Sequence, residues 1–91
     1  MPVTVKIPTQ LRAAAGGASD ATVEGATVGE VLDALFAEHA ELRERLSDDG
    51  GGLRRFVNVY VNGEDIRFGS GLDTPVADGG EVQILPAVAG G

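Results

Sequence analysis

The sequence predicts an α+β domain in which one main amphipathic helix lies across a mixed sheet of about five strands, the two layers sharing a single core. Three observations predict it. Short runs of β-branched residues with a period of two stand near the beginning, in the middle and near the end of the chain. A capped amphipathic helix stands between the first of these and the others. The composition, 43% hydrophobic but only 4% aromatic over 91 residues, allows one modest core of Val, Leu, Ile and Ala and leaves no room for a second domain.

Taken in order, Val3, Val5 and Ile7 share one side of a first strand over residues 3–7, and Pro8, which has no N–H to donate, ends regular pairing. Leu11 is expected to touch the core, and residues 13–18, with Gly16-Gly17, read as loop. Residues 20–23 form a short second strand that closes a hairpin with the first. Thr27-Val28-Gly29-Glu30 fits a capping box, with the Thr27 hydroxyl accepting from an orphan N–H of the first turn and Glu30 reaching back. Val28, Val31, Leu32, Leu35 and Phe36 then mark one apolar face, with Glu30, Asp33 and Glu38 mostly outside it. Residues 40–46 continue as a short second helical piece carrying Leu42 and Leu46, in which Glu41 can pair with Arg45. Residues 47–52 read as a flexible loop.

The segment Phe56-Val57-Asn58-Val59-Tyr60-Val61 alternates strictly, Val57, Val59 and Val61 pointing inward and Asn58 and Tyr60 outward. Asn62-Gly63 is a tight-turn signal, after which residues 64–67 return as a short edge strand. Asp73-Thr74-Pro75 and Asp78-Gly79-Gly80 are turns around Val76, and residues 81–85 form the last strand, with Val82 and Ile84 inward and Leu85 outward. Because crossovers between parallel strands are right-handed in nearly all cases, the helix should connect strands through such a unit, with the first and last strands paired in parallel at the centre of the sheet. That is the ubiquitin-like β-grasp arrangement. The domain is expected to span residues 1–86, followed by a flexible C-terminal tail over 87–91.

Several function classes are disfavoured by composition. Seven basic against fourteen acidic residues give a net charge of −7, which repels phosphate backbones and anionic lipid, so neither nucleic acid nor membrane is an expected partner. The absence of cysteine excludes disulfides, thiolate metal sites and cysteine nucleophiles. His39 is the only histidine, so a Ser-His-Asp triad or multi-histidine metal centre cannot be assembled, no metal is expected, and the residue reads as a helix end. Gly50-Gly51-Gly52 and Gly69-Ser70-Gly71 lack the Lys-Ser or Lys-Thr of a phosphate loop. No cofactor is expected on the chain, and any nucleotide belongs to a partner. With no long apolar run and no basic-then-apolar N-terminal segment, the protein is expected in the cytoplasm.

The final residues Ile84-Leu85-Pro86-Ala87-Val88-Ala89-Gly90-Gly91 carry the chemistry. A Gly-Gly segment has no Cβ and threads where a bulkier residue would clash. Its free carboxylate is a poor electrophile until a group such as an adenylate supplies a leaving group. The tail therefore reads as a reagent handled by an activating enzyme. Without cysteine, sulfur carried by this protein would have to sit on the Gly91 carboxyl. Residues 86–91 span at most ~20 Å when extended, enough to enter a cleft while the domain stays outside.

On residues 3–7 with Leu11-Arg12, the segment from Phe56 to Asn62, the Asp78-Gly79-Gly80-Glu81-Val82 turn and the tail, the chain resembles the small β-grasp sulfur carriers of the ThiS/MoaD family. Its nearest likeness is to the branch that feeds cysteine biosynthesis. The resemblance implies a cycle in which an E1-like activating enzyme uses ATP to adenylate Gly91 and sulfur then replaces AMP to give a thiocarboxylate. By position it implies that Gly91 bears the sulfur, that Gly90 and Ala89 form the threading tail, and that Leu85 docks on the activating enzyme, with Arg12 a charged contact in the same interface. A downstream sulfur-accepting synthase and a metalloprotease that releases the product are the further partners implied. The segment over residues 40–55 exceeds what thiamin carriers have, and Ala87 stands where molybdopterin carriers often have a second proline; both departures disfavour those branches, although a molybdopterin synthase small subunit remains an alternative. The rival from another class is a ubiquitin-like modifier that forms isopeptide bonds through Gly91. Lys6 is the only lysine, which permits at most one lysine linkage type between copies. A plain interaction module with an inert tail is the third reading.

Overall fold

The computed structural model describes residues 2–47, 53 and 57–86. Strand β1 (Pro2–Lys6) buries Val3 and Val5 on its inner side and is joined, through a 3-10 helix over Thr9–Ala15, to β2 (Asp20–Glu24). The two strands pair antiparallel, Val3 opposite Val23 and Lys6 opposite Asp20. Helix α1 (Val28–Glu38) and the shorter α2 (Ala40–Leu46) follow, with His39 at the junction as the last cap of one and the first of the other. Strand β3 (Val57–Val61) turns through Asn62 and Gly63, both at positive φ, into the two-residue β4 (Glu64–Asp65). The last strand is β5 (Glu81–Pro86).

The sheet has five strands in the order β2-β1-β5-β3-β4. Strand β5 is its centre, parallel to β1 and antiparallel to β3, as the first-with-last pairing expected from sequence requires. Helix α1 covers one face. Its start follows the capping box: the Thr27 Oγ1 accepts from the Glu30 N–H at 3.2 Å, satisfying one of the four orphan donors of the first turn. The Glu30 carboxylate reaches back one residue further than a standard box, to the Ala26 N–H at 2.9 Å. Two backbone bonds bind this corner to the segment before β5, Val28 N–H to Thr74 O at 3.0 Å and Val76 N–H to Ala26 O at 2.9 Å.

Between helix and sheet lies the core. Val28, Val31, Leu32, Leu35 and Phe36 of α1 and Leu42 and Leu46 of α2 are buried with Val3, Val5, Val57, Val59, Val82 and Ile84 of the sheet. The helical three-four spacing and the strand alternation thus meet in one aliphatic layer. Val61 is only partly buried against it. No polar or charged residue among those described is buried, so the core carries no desolvated charge to offset. Arg43 lies over the Phe36 ring at 5.9 Å from its centroid, and Glu41 and Arg45 pair at 3.3 Å as the i,i+4 spacing predicts.

Two expectations are corrected. The stretch expected to be loop from residue 13 belongs at its start to the 3-10 helix over Thr9–Ala15, which buries Leu11, Ala14 and Ala15 and ends at Gly16 in the left-handed region. Alanine favours a helical turn once tertiary burial is available, a preference that the neighbouring glycines obscure in the sequence. Residues 64–67 do not form one strand: pairing stops at Asp65, whose side chain caps a 3-10 turn over Ile66–Phe68 by accepting the Arg67 N–H at 2.8 Å. Ile66 is thereby turned into the core and Phe68 out of it. Phe56, residues 48–52 and the tail over 87–91 lie outside the described residues.

Candidate functional site

The face of the sheet away from α1 carries the outward residues of the alternation. Across its centre Lys6 of β1, Gln83 of β5 and Tyr60 of β3 stand in register, and the next row places Leu85 opposite Asn58. Leu85 is 39% exposed and, with Phe68, is one of two exposed large hydrophobic residues among those described. It is exposed because its neighbours Ile84 and Val82 take the inward positions, so the single frame of β5 decides both.

Arg12 reaches the same region from the 3-10 helix after β1. Its Nε donates to the Ile7 carbonyl at 3.1 Å, and its own carbonyl accepts the Gly17 N–H at 2.6 Å. The side chain is thus held at the end of β1, beside Leu85, and the two line one depression of about 370 Å³ with Lys6, Pro8, Ser19 and Gln83. Arg12 and Leu85 are 73 positions apart in the chain; the parallel pairing of β1 with β5 brings them together. Lys6 lies 3.9 Å from Asp20 with both side chains about half exposed, a pair that contributes little in water. It leaves the ammonium at the rim of the depression. The participation of Lys6 and Gln83 was not expected, because pairing the first strand with the last does not by itself state which residues stand side by side; the register does.

Chemically, the depression sets an exposed leucine beside two cationic side chains, Arg12 and Lys6, with the Glu81 carboxylate also on its lining. Among the described residues no group of three or more His, Cys, Asp and Glu is arranged to hold a metal ion, and no helix is long and apolar enough to cross a membrane. Gly91, Gly90 and Ala89, the expected reactive tail, lie outside the described residues. What the structure fixes is the strand that leads to them: β5, hydrogen-bonded on both sides and paired with β3 up to the Val57–Pro86 step.

A helix laid on a mixed sheet whose first and last strands pair in parallel at the centre defines the class, a ubiquitin-like β-grasp protein. Residues 5–91 match the ThiS family, and the chain belongs to that family of small sulfur carriers. It is 53% identical over 93 aligned positions to the sulfur carrier protein CysO of Mycobacterium tuberculosis, covering 100% of both chains. Among solved structures it is similar to a chain of the Amycolatopsis orientalis BexX/CysO complex, with 50% identity, a TM-score of 0.90 and coverage of 98% of this chain and 99% of that one. It is also similar to the small archaeal modifier protein 1 of Haloferax volcanii, with 33% identity, a TM-score of 0.83 and coverage of 96% and 98%.

Proposed function

We propose that this protein carries sulfur as a thiocarboxylate on Gly91 and donates it in the biosynthesis of cysteine or of another sulfur-containing metabolite. The observation that carries the reading is the family match, which runs through Gly90-Gly91 to residue 91. The domain, residues 1–86, is the handle and residues 87–91 are the reagent.

The chemistry follows from the carboxylate. Its oxygen attacks the α-phosphorus of ATP held by an E1-like activating enzyme, releasing pyrophosphate and leaving an acyl adenylate. A sulfur nucleophile then attacks the carbonyl carbon and expels AMP. The chain performs no catalysis alone and binds no cofactor of its own; it is a covalent co-substrate, working in the cytoplasm where ATP is supplied. Leu85 and Arg12 serve as contacts for the activating enzyme, a role supported by their convergence on one depression beside the strand that delivers the tail. A downstream synthase accepts the sulfur, and where the product stays attached to the carrier a metalloprotease releases it. That the Amycolatopsis orientalis relative was solved in complex with BexX supports a carrier that works by docking on other proteins.

Intact mass after incubation with a host activating enzyme, ATP and a sulfide source tests the reading. A gain matching exchange of one oxygen for sulfur is expected. No gain, with the enzyme active on another carrier, overturns it. The likeness to a small archaeal modifier protein favours one second reading, conjugation of Gly91 to protein amines, which would appear in extracts as the tail on target lysines.

A further inference from the structure

Phe68 is 92% exposed, its ring presented almost whole to solvent. It is held there by its surroundings. Asp65 caps the 3-10 turn over Ile66–Phe68, Ile66 anchors the turn in the core, and the Arg67 Nη2 donates to the Val57 carbonyl at 3.1 Å on the inner side. The ring therefore stands out from a well-tied turn.

Beside it is a groove of about 910 Å³ lined among others by Tyr60, Glu64, Asp65, Phe68, Thr74 and Pro75. Its lining holds two aromatic rings and two carboxylates but no Lys, Arg or His. Asp65 spends one oxygen on the Arg67 N–H and keeps acceptor capacity on the other. The Thr74 Oγ1 is buried and makes no hydrogen bond among the described residues. Aromatic faces next to carboxylates attract a cation that carries some apolar surface, and a guanidinium or ammonium on its methylene stem is that group. The groove also lies away from Pro86, the last described residue. It sits where β3 turns into β4 at Val61 and Glu64, whereas the tail departs where Val57 faces Pro86, at the other end of β3.

We infer that the Phe68 groove is a second docking surface, built to receive an arginine or lysine side chain, flanked by aliphatic residues, from a protein partner while the tail is engaged elsewhere. Phe68 is the anchor and Glu64 and Asp65 select the charge. A partner seated here leaves the Pro86 end of β5 uncovered, so a carrier held from that end in one protein can be gripped at this groove by another. The inference does not depend on what chemistry occurs at Gly91.

The test is a backbone-amide NMR titration of the full-length 15N-labelled protein with a blocked peptide of alternating leucine and arginine, and with the same peptide carrying glutamate for arginine. Shifts confined to residues 60–69, 74 and 76 are expected with the arginine peptide and absent with the glutamate one. Phe68→Ser should weaken the arginine peptide about five-fold, the scale of one exposed cation–π contact, with the rest of the spectrum unchanged because the ring is outside the core. Glu64→Gln together with Asp65→Asn should weaken it comparably. Shifts centred on the acidic helix positions Glu38 and Glu41, shifts at the groove that Phe68→Ser leaves intact, or no shifts at millimolar peptide each overturn the inference.

Discussion

Asn62 and Glu81 hold each other by two hydrogen bonds: the Asn62 N–H donates to the Glu81 carbonyl at 2.9 Å, and the Glu81 N–H donates to the Asn62 Oδ1 at 3.0 Å. Asn62 adopts φ 49°, a region an asparagine tolerates better than a residue without a local side-chain acceptor. The pair locks the end of β3 to the start of β5 and so fixes the register through which Leu85 faces out and Ile84 faces in. A slip of one residue would exchange them.

Asn62→Ala is therefore expected to cost about 2 kcal/mol, combining the lost side-chain bond with the left-handed backbone of a Cβ-bearing residue. The thermal midpoint should fall by on the order of 10 °C. Asn62→Gly, which keeps the backbone conformation and loses only the bond, should fall by roughly half as much. Equal losses in calorimetric scans of the two variants would show that the turn conformation contributes nothing.

Gly25 marks a close approach. A Cβ at this position would stand 2.7 Å from the Val31 N and 2.9 Å from the Val31 Cγ2, so the first turn of α1 would have to move away from β2. Gly25→Ala is expected to destabilise by about 1–3 kcal/mol, the usual range for overpacking, read as a lower urea midpoint with an unchanged slope. An unchanged midpoint would mean that this corner yields freely.

Leu85→Asp separates docking from folding. Because the side chain is already substantially exposed, stability should stay within about 0.5 kcal/mol of the parent. Affinity for the activating enzyme should fall at least about ten-fold if Leu85 is the anchor of that interface. Equal affinity measured by calorimetric titration would remove the docking role from this residue, and Arg12→Ala tested in parallel would show whether the depression contributes through its charge instead.

Deleting Gly91, or replacing it by valine, should abolish the oxygen-to-sulfur mass gain while leaving the circular dichroism spectrum and melting curve unchanged. Among the described residues, the pairing of the central strand with β3 runs to Pro86. A variant that still gains sulfur would relocate the carrier chemistry away from the terminus.

Much of the fold was legible in the sequence because its signals are local. The capping box at Thr27 and Glu30 and the five-residue apolar face of α1 follow from helix geometry alone. So do the alternation of Val57 and Val59 and the outward position of Leu85, which need only the period of a strand. The candidate reactive glycine is a property of composition and terminal chemistry. Its local structure lies outside the described residues.

Signals that are weak by themselves were settled only by the tertiary structure. The alanine-rich stretch after Pro8 becomes a 3-10 helix because burying Leu11, Ala14 and Ala15 against the core favours that turn over loop. Residues 64–67 stop being a strand after Asp65 because Ile66 gains a place in the core by turning inward, which turns Phe68 out. Neighbourhood is the larger matter. The sequence reading places β1 beside β5, but only the register of their hydrogen bonds decides that Arg12, Lys6 and Leu85 share a depression. By itself the sequence determined most of the elements and the outward position of Leu85. The register of β5 against β1 and β3, fixed by hydrogen bonding along both its edges, decided which distant residues became one surface.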